Sequence, residues 1–129
     1  HVLRGKPTSE VLFALQSHEI RRIARHEECV FVGRCADFVL RDQDVKLLTV
    51  FVAAPDEHRI LRKMTQEKLS RDQAVRLIRK MDKQRRKYYE NYTGRTWGAP
   101  DGYDLYLDTG RLSTDEAAAC IAARFREMA

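Results

Sequence analysis

Two runs of the chain are apolar without polar alternation: "CVFVG" at 29–33 and "VKLLTVFVAA" at 45–54. Continuous runs of this kind, rich in β-branched residues, predict strands buried on both faces, closed by Gly33 and by Pro55. A third strand is expected in "YDLYLDTG" at 103–110. Around these runs the apolar positions recur at helical spacing. Pro7, Thr8 and Ser9 give a start signal for a helix through "EVLFALQSHEIRRIARHEE", where Leu12, Leu15, Ile20 and Ile23 make one face apolar and leave the other basic. "RCADFVLRDQD" reads as a short helix or irregular crossover with Phe38, Val39 and Leu40 turned inward and Asp42 and Asp44 in a turn.

"PDEHRILRKMTQEKL" opens on acidic residues and continues with helix formers, so a helix is expected to start just beyond the second strand's carboxyl end. Ser70 and Gln73 have capping-box spacing for the next helix, whose apolar face holds Ala74, Val75, Leu77, Ile78, Met81, Tyr88 and Tyr89 and which should end near Thr93 and Gly94. Ser113 and Glu116 repeat the box before a final helix. Helix, strand, crossover, strand, helices, strand, helix is the order of a doubly wound α/β arrangement, a parallel sheet with helices on both faces. Three strands are few against the usual five or so, so the chain is expected to be the latter part of a larger fold. Ligands of such sheets bind beyond the carboxyl ends of the strands. The loops of interest therefore follow Val32, Ala54 and Asp108.

Length changes this picture little: 129 residues with 43% hydrophobic content suit one domain with a modest core. A mean hydropathy of −0.54 and the lack of a long apolar stretch lead us to expect a chain that neither spans nor binds a membrane. Three cysteines without CxxC spacing and four histidines without HExxH spacing suggest neither a disulfide framework nor a metal site, and a reducing cytoplasm is the expected compartment. Charge adds more. A net charge of +5 and a pI near 9.3 favour polyanionic partners, either nucleic acid or small phosphorylated metabolites. Much of that charge (Arg71, Arg76, Arg79, Lys80, Lys83, Arg85, Arg86 and Lys87) falls on one helix. A solvated helix face explains it equally well.

Candidate chemistry lies at the strand ends. Gly33 permits a sharp turn after which Arg34 can aim its planar fork at phosphate; an exposed loop arginine is the competing reading. Arg59 and Arg62, one turn apart, point to nearly the same side of their helix and suit a phosphoryl clamp, although RxxR is a common surface pattern. Asp82 can orient a neighbouring arginine or accept from a base amino group while Arg85 contacts phosphate; an intrahelical salt bridge is the simpler alternative. "RGKPT" fails as a phosphate loop because its first glycine has no place and Pro7 stands where a hydroxyl is required.

"CVFVGRCADFVLRD", "VFVAAPDEHRILRKM" and "YYENYTGRTWGAPDGYDLYLDTGRLSTDEA", in this order, resemble the cytidylate kinase-like family of P-loop nucleoside monophosphate kinases, from about Phe13 to Ile121. The most specific piece is the YYxxYTGxxWG run followed by YDLxLDT. The resemblance implies a P-loop kinase-type doubly wound sheet and transfer of the terminal phosphoryl group of ATP, with Mg2+, to a cytidylate-type monophosphate such as CMP or dCMP. It also implies roles: Arg34, Phe13 and Gln16 on the acceptor side, Arg59 and Arg62 in a lid spanning residues 55–73, and Asp82 with Arg85 lining the acceptor.

Two departures qualify this. Val32 and Ala53 stand where cytidylate kinases carry acidic residues, which puts cytidine recognition in doubt. The family's first strand and glycine-rich loop would precede His1, so residues 1–129 are expected to form a single, partial domain that is inactive alone, for want of a cradle for the donor phosphates. Two rival readings remain. One is a non-catalytic nucleotide-binding or regulatory domain; the other, less expected, is a nucleic-acid module using Arg76 to Lys87 with Tyr88, Tyr89 and Tyr92 as stacking platforms. The oligomeric state is not legible.

Overall fold

The computed structural model describes residues 8–129. Contacts divide the chain into two compact units, the first ending at Leu47 and the second running from Leu48 to Ala129. Pro7 and most of the "RGKPT" stretch lie outside the described residues.

In the first unit α1 (Thr8–His26) and α2 (Ala36–Val39) pack through Ile20, Ala36, Val39 and Leu40, with Phe13, Ala24, Phe31 and Leu47 against that cluster. Ala36, Val39 and Leu40 are buried, and Phe38 is half-buried beneath the Arg41 guanidinium, which stands 3.6 Å from its ring centroid. Residues 29–33 correct the sequence reading: they form no strand, and Val30 and Val32 are each 90% exposed while Phe31 alone turns toward the core. An extended segment becomes a strand only by pairing, and no described residue pairs with this one. Its continuous apolar character therefore masks a two-residue alternation. The segment ends in three consecutive left-handed residues, Gly33 (φ 74°), Arg34 (φ 57°) and Cys35 (φ 56°). Such backbone costs a non-glycine residue roughly 1–2 kcal/mol.

The second unit holds a parallel pair, β1 (Val50–Ala53) and β2 (Leu105–Asp108), in the register Val50 with Leu105 through Ala53 with Asp108. Two strands are assigned among the described residues where three were expected. The pair is also not buried on both faces, since Val52 is 52% exposed. Asp104 fixes the register at the entry: its carboxylate accepts from the Thr49 backbone N–H at 2.9 Å, and the Thr49 hydroxyl accepts the Asp104 N–H at 3.0 Å. At the exit the Thr109 N–H reaches the Ala53 carbonyl at 2.8 Å.

The crossover between the strands is α3 (Asp56–Glu67), α4 (Arg71–Thr93) and a 3-10 turn (Pro100–Gly102), and α5 (Thr114–Glu127) follows β2. Both predicted capping boxes form: Ser70 and Gln73 exchange bonds of 2.9 and 3.2 Å, Ser113 and Glu116 of 2.9 and 3.1 Å. Accepting the Ser113 backbone N–H lowers the Glu116 carboxyl pKa from its ordinary value. Helices α3 and α4 close on Ile60, Ala74 and Ile78, with Met64, Leu69 and Val75 around them. On β1, Phe51 gathers Trp97 edge-on at 5.4 Å, Tyr103 at 5.1 Å and Tyr106 stacked at 5.4 Å. Trp97 therefore packs on the strand, and its backbone N–H is held by Glu90 Oε2 at 3.0 Å.

Candidate functional site

The carboxyl ends of β1 and β2 are drawn together by small residues. Gly110 lies so close to the Pro55 ring that a Cβ there would sit 2.5 Å from Cδ, and Asp108 Oδ1 accepts the Gly110 N–H at 2.8 Å. Helix α3 begins at this edge. Pro55 supplies its N-cap position, with φ −58° already suited to helix entry, and Asp56 and Glu57 occupy the first turn, where the helix dipole favours carboxylates.

Arg59 leaves that first turn and closes its fork on Asp82 of α4. Nη1 donates to Oδ2 at 2.8 Å and Nη2 to Oδ1 at 2.6 Å. The side chains are only 29% and 21% exposed, so the pair is partly removed from solvent. The Asp82 carboxylate raises the Arg59 pKa above its ordinary value, keeping the guanidinium charged throughout the working range. Asp56 lies 3.8 Å from Arg59, and Arg85 lies 3.8 Å from the same Asp82 oxygen that takes Nη2. The result is a chain of alternating charge, Asp56, Arg59, Asp82 and Arg85, across two helices. A second bidentate pair, Arg71 with Glu57 at 2.8 and 2.7 Å, ties the amino-terminal ends of the two helices; Arg71 holds the Glu57 carboxyl below its usual pKa.

Arg62, one turn beyond Arg59, is exposed, and its side chain forms no hydrogen bond or ion pair among the described residues. With His58, Leu61, Thr65 and Gln66 it lines an open depression of about 380 Å³. A depression of similar size, about 370 Å³ and bounded in part by Tyr89, Arg95, Asp101 and Tyr103, adjoins the entry to β2 and includes none of the arginines singled out in the sequence. Cavity volume therefore does not distinguish the two depressions.

The anticipated residues thus separate. Arg59, Asp82 and Arg85 meet in one cluster, with Arg62 beside it on α3. The other three belong to the first unit: Arg34 is exposed at the left-handed turn, Phe13 packs against the α1–α2 core, and Gln16 is half-buried on α1. Sequence reasoning passed over Asp56 and His58. Their signal was spacing, since Asp56 precedes Arg59 by three residues and His58 precedes Arg62 by four, the separations that face each other on a helix.

A two-strand parallel sheet joined by a helical crossover makes this an α/β chain, with the Arg59–Asp82 cluster on the helices that follow β1. The family model described as cytidylate kinase-like matches residues 1–111, and the chain belongs to that family. Among solved structures it is similar to the crystal structure of an uncharacterized protein from Eubacterium ventriosum, at 27% identity and a TM-score of 0.85, covering 93% of this chain and 75% of that one. No curated protein matches it. No helix among the described residues is long and apolar enough to cross a membrane.

Proposed function

We propose that the chain carries the acceptor and lid regions of a cytidylate-type nucleoside monophosphate kinase of the P-loop kind, with MgATP as phosphoryl donor and CMP or dCMP as acceptor. Family membership supports the kinase class. The observation that carries the site is the Arg59 fork closed on Asp82, with unpartnered Arg62 one helical turn beyond.

In this reaction an acceptor phosphate oxygen attacks the terminal phosphorus of the donor, the bond to the bridging oxygen breaks, and ADP leaves. Charge spreads over the equatorial oxygens in the transition state. Arg62 is free to meet that charge directly. Arg59 commits two of its five N–H donors to Asp82 and keeps three for phosphate, so its fork is oriented before any ligand arrives. Residues 55–73 form the lid-like segment in this reading, and Asp82 and Arg85 border the acceptor. No group of three or more His, Cys, Asp or Glu among the described residues is arranged to hold a metal ion. In this reading magnesium enters with the donor as MgATP, and no step is assigned to a protein-held metal. Three free thiols, Cys29, Cys35 and Cys120, support a cytoplasmic setting.

Calorimetric titration of the full-length gene product with CMP, dCMP, UMP and AMP, followed by ATP-dependent turnover, tests this reading. Binding and phosphorylation of CMP or dCMP are expected. Arg34→Ala should weaken acceptor binding, and Arg59→Ala or Arg62→Ala should mainly lower kcat. Wild-type kinetics in all three variants refute the site, and nucleotide binding without turnover would establish the regulatory reading instead.

A further inference from the structure

The outer face of α4 carries charge that the kinase reading does not use. At about 100° per residue, Arg76, Lys80, Lys83 and Lys87 fall within an arc of roughly 60°, and Arg79 and Arg86 border it. The opposite side of the helix holds the buried Ala74, Ile78 and Tyr89, with Asp82 and Arg85 beside them. All six cations are exposed, and the side chains of the four in the central stripe form no hydrogen bond or ion pair among the described residues. Asp72 and Glu90 are the acids of that half-cylinder and stand at its two ends, Glu90 already engaged by the Trp97 N–H.

Like charges three and four residues apart repel along a helix, so an uncompensated stripe of this kind is relieved by an external polyanion. Its dimensions select which one. Arg76 to Lys87 spans about 16 Å of a straight helix axis, while a duplex presents one phosphate charge per ~1.7 Å. A membrane surface fits poorly, because an interfacial helix needs an apolar face to insert and every residue of this half from 72 to 91 is polar. Single strands are held largely by stacking on aromatic rings. Here Tyr89 is buried, and Tyr88 and Tyr92 face each other at 4.9 Å on the inner side of the helix.

We propose that the outer face of α4 binds duplex nucleic acid through its phosphate backbone, without reading sequence. This replaces the tyrosine-stacking mode entertained from the sequence, and it is independent of the nucleotide chemistry at Arg59.

Fluorescence anisotropy of the full chain with labelled duplexes of unrelated sequence, from about 50 to 200 mM salt, tests the proposal. Four phosphate contacts predict a slope of log affinity on log salt near −4, about a hundredfold loss over that range, and equal affinities among sequences. The combined Arg76→Gln, Lys80→Gln, Lys83→Gln and Lys87→Gln variant should lose most of the affinity and nearly all of the slope while nucleotide binding is unchanged. Should that variant fail to fold, Lys80→Gln and Lys83→Gln singly should each reduce the slope by about one. Any of four results overturns the proposal: no duplex binding at the lowest salt, a slope the substitutions leave intact, tighter binding to single strands, or stronger binding to phosphatidylserine vesicles than to duplex.

Discussion

Asp82→Asn removes one negative charge from the α3–α4 cluster with almost no change of shape. In the wild-type protein that carboxylate takes two charge-assisted bonds from Arg59, at 2.8 and 2.6 Å, and lies 3.8 Å from Arg85. Two unit charges about 4 Å apart attract by roughly 4 kcal/mol at the effective dielectric constant of a protein surface. Some solvent reaches both side chains, which are 29% and 21% exposed, and desolvation opposes the attraction. Hydrogen bonds to charged groups typically retain about 1.5–3 kcal/mol, so the expected destabilisation is about 2 kcal/mol. Urea unfolding of Asp82→Asn, Arg59→Gln and the double variant should give a coupling of about 1–2 kcal/mol at unchanged m-value. The Glu57–Arg71 pair, with both side chains more than half exposed, should couple less. Additivity within about 0.5 kcal/mol for Arg59 and Asp82 would falsify the idea that the fork is held before ligand arrives.

Two further outcomes follow from the core. Gly98 has φ +75°, and a Cβ there would stand 3.0 Å from Phe51 Cζ; Gly98→Ala should therefore cost about 1–3 kcal/mol and red-shift Trp97 emission, whereas an unchanged urea midpoint would show that the aromatic cluster yields freely. Burial pushes the Cys35 thiol up from 9.0 to about 11, with Asp37 adding to the shift, so at pH 8 it should react with a disulfide reagent far more slowly than the exposed Cys29 and Cys120. Because the folded-state pKa is the higher, the stability linked to this thiol is whole below about pH 9 and is lost as pH rises through 11; equal reactivity of all three thiols, or a Cys35→Ala variant with the same alkaline decline, contradicts this.

Local signals were legible in the sequence. Ser70 with Gln73 and Ser113 with Glu116 marked helix starts that form as read, because a capping box is complete within four residues. Strand identity is a different matter. "CVFVG" and "VFVA" look alike as composition, yet among the described residues only the second meets a partner strand, and pairing depends on residues far away in the chain. The same limit hid the Arg59–Asp82 fork. Arg79, Arg85 and Arg86 were all within helical reach of Asp82, and nothing local could announce that an arginine 23 positions earlier would take the shorter bonds. Trp97 was the least legible, since its neighbour Phe51 belongs to a strand on the other side of the crossover.

The parallel pair also has a polymer-physics consequence. Its strands meet across a separation of 55 residues at Thr49 and Asp104. Closing a flexible loop of that length costs about 3.5 kcal/mol of chain entropy, plus a constant, against a ladder only four residues long on each strand. Isolated, so short a ladder would be marginal. The crossover removes much of that freedom by being helical, capped and cross-linked through Arg59–Asp82 and Arg71–Glu57. The sheet is thus a dependent of its own connection, and a chain cut within 56–104 would lose β1 and β2 together.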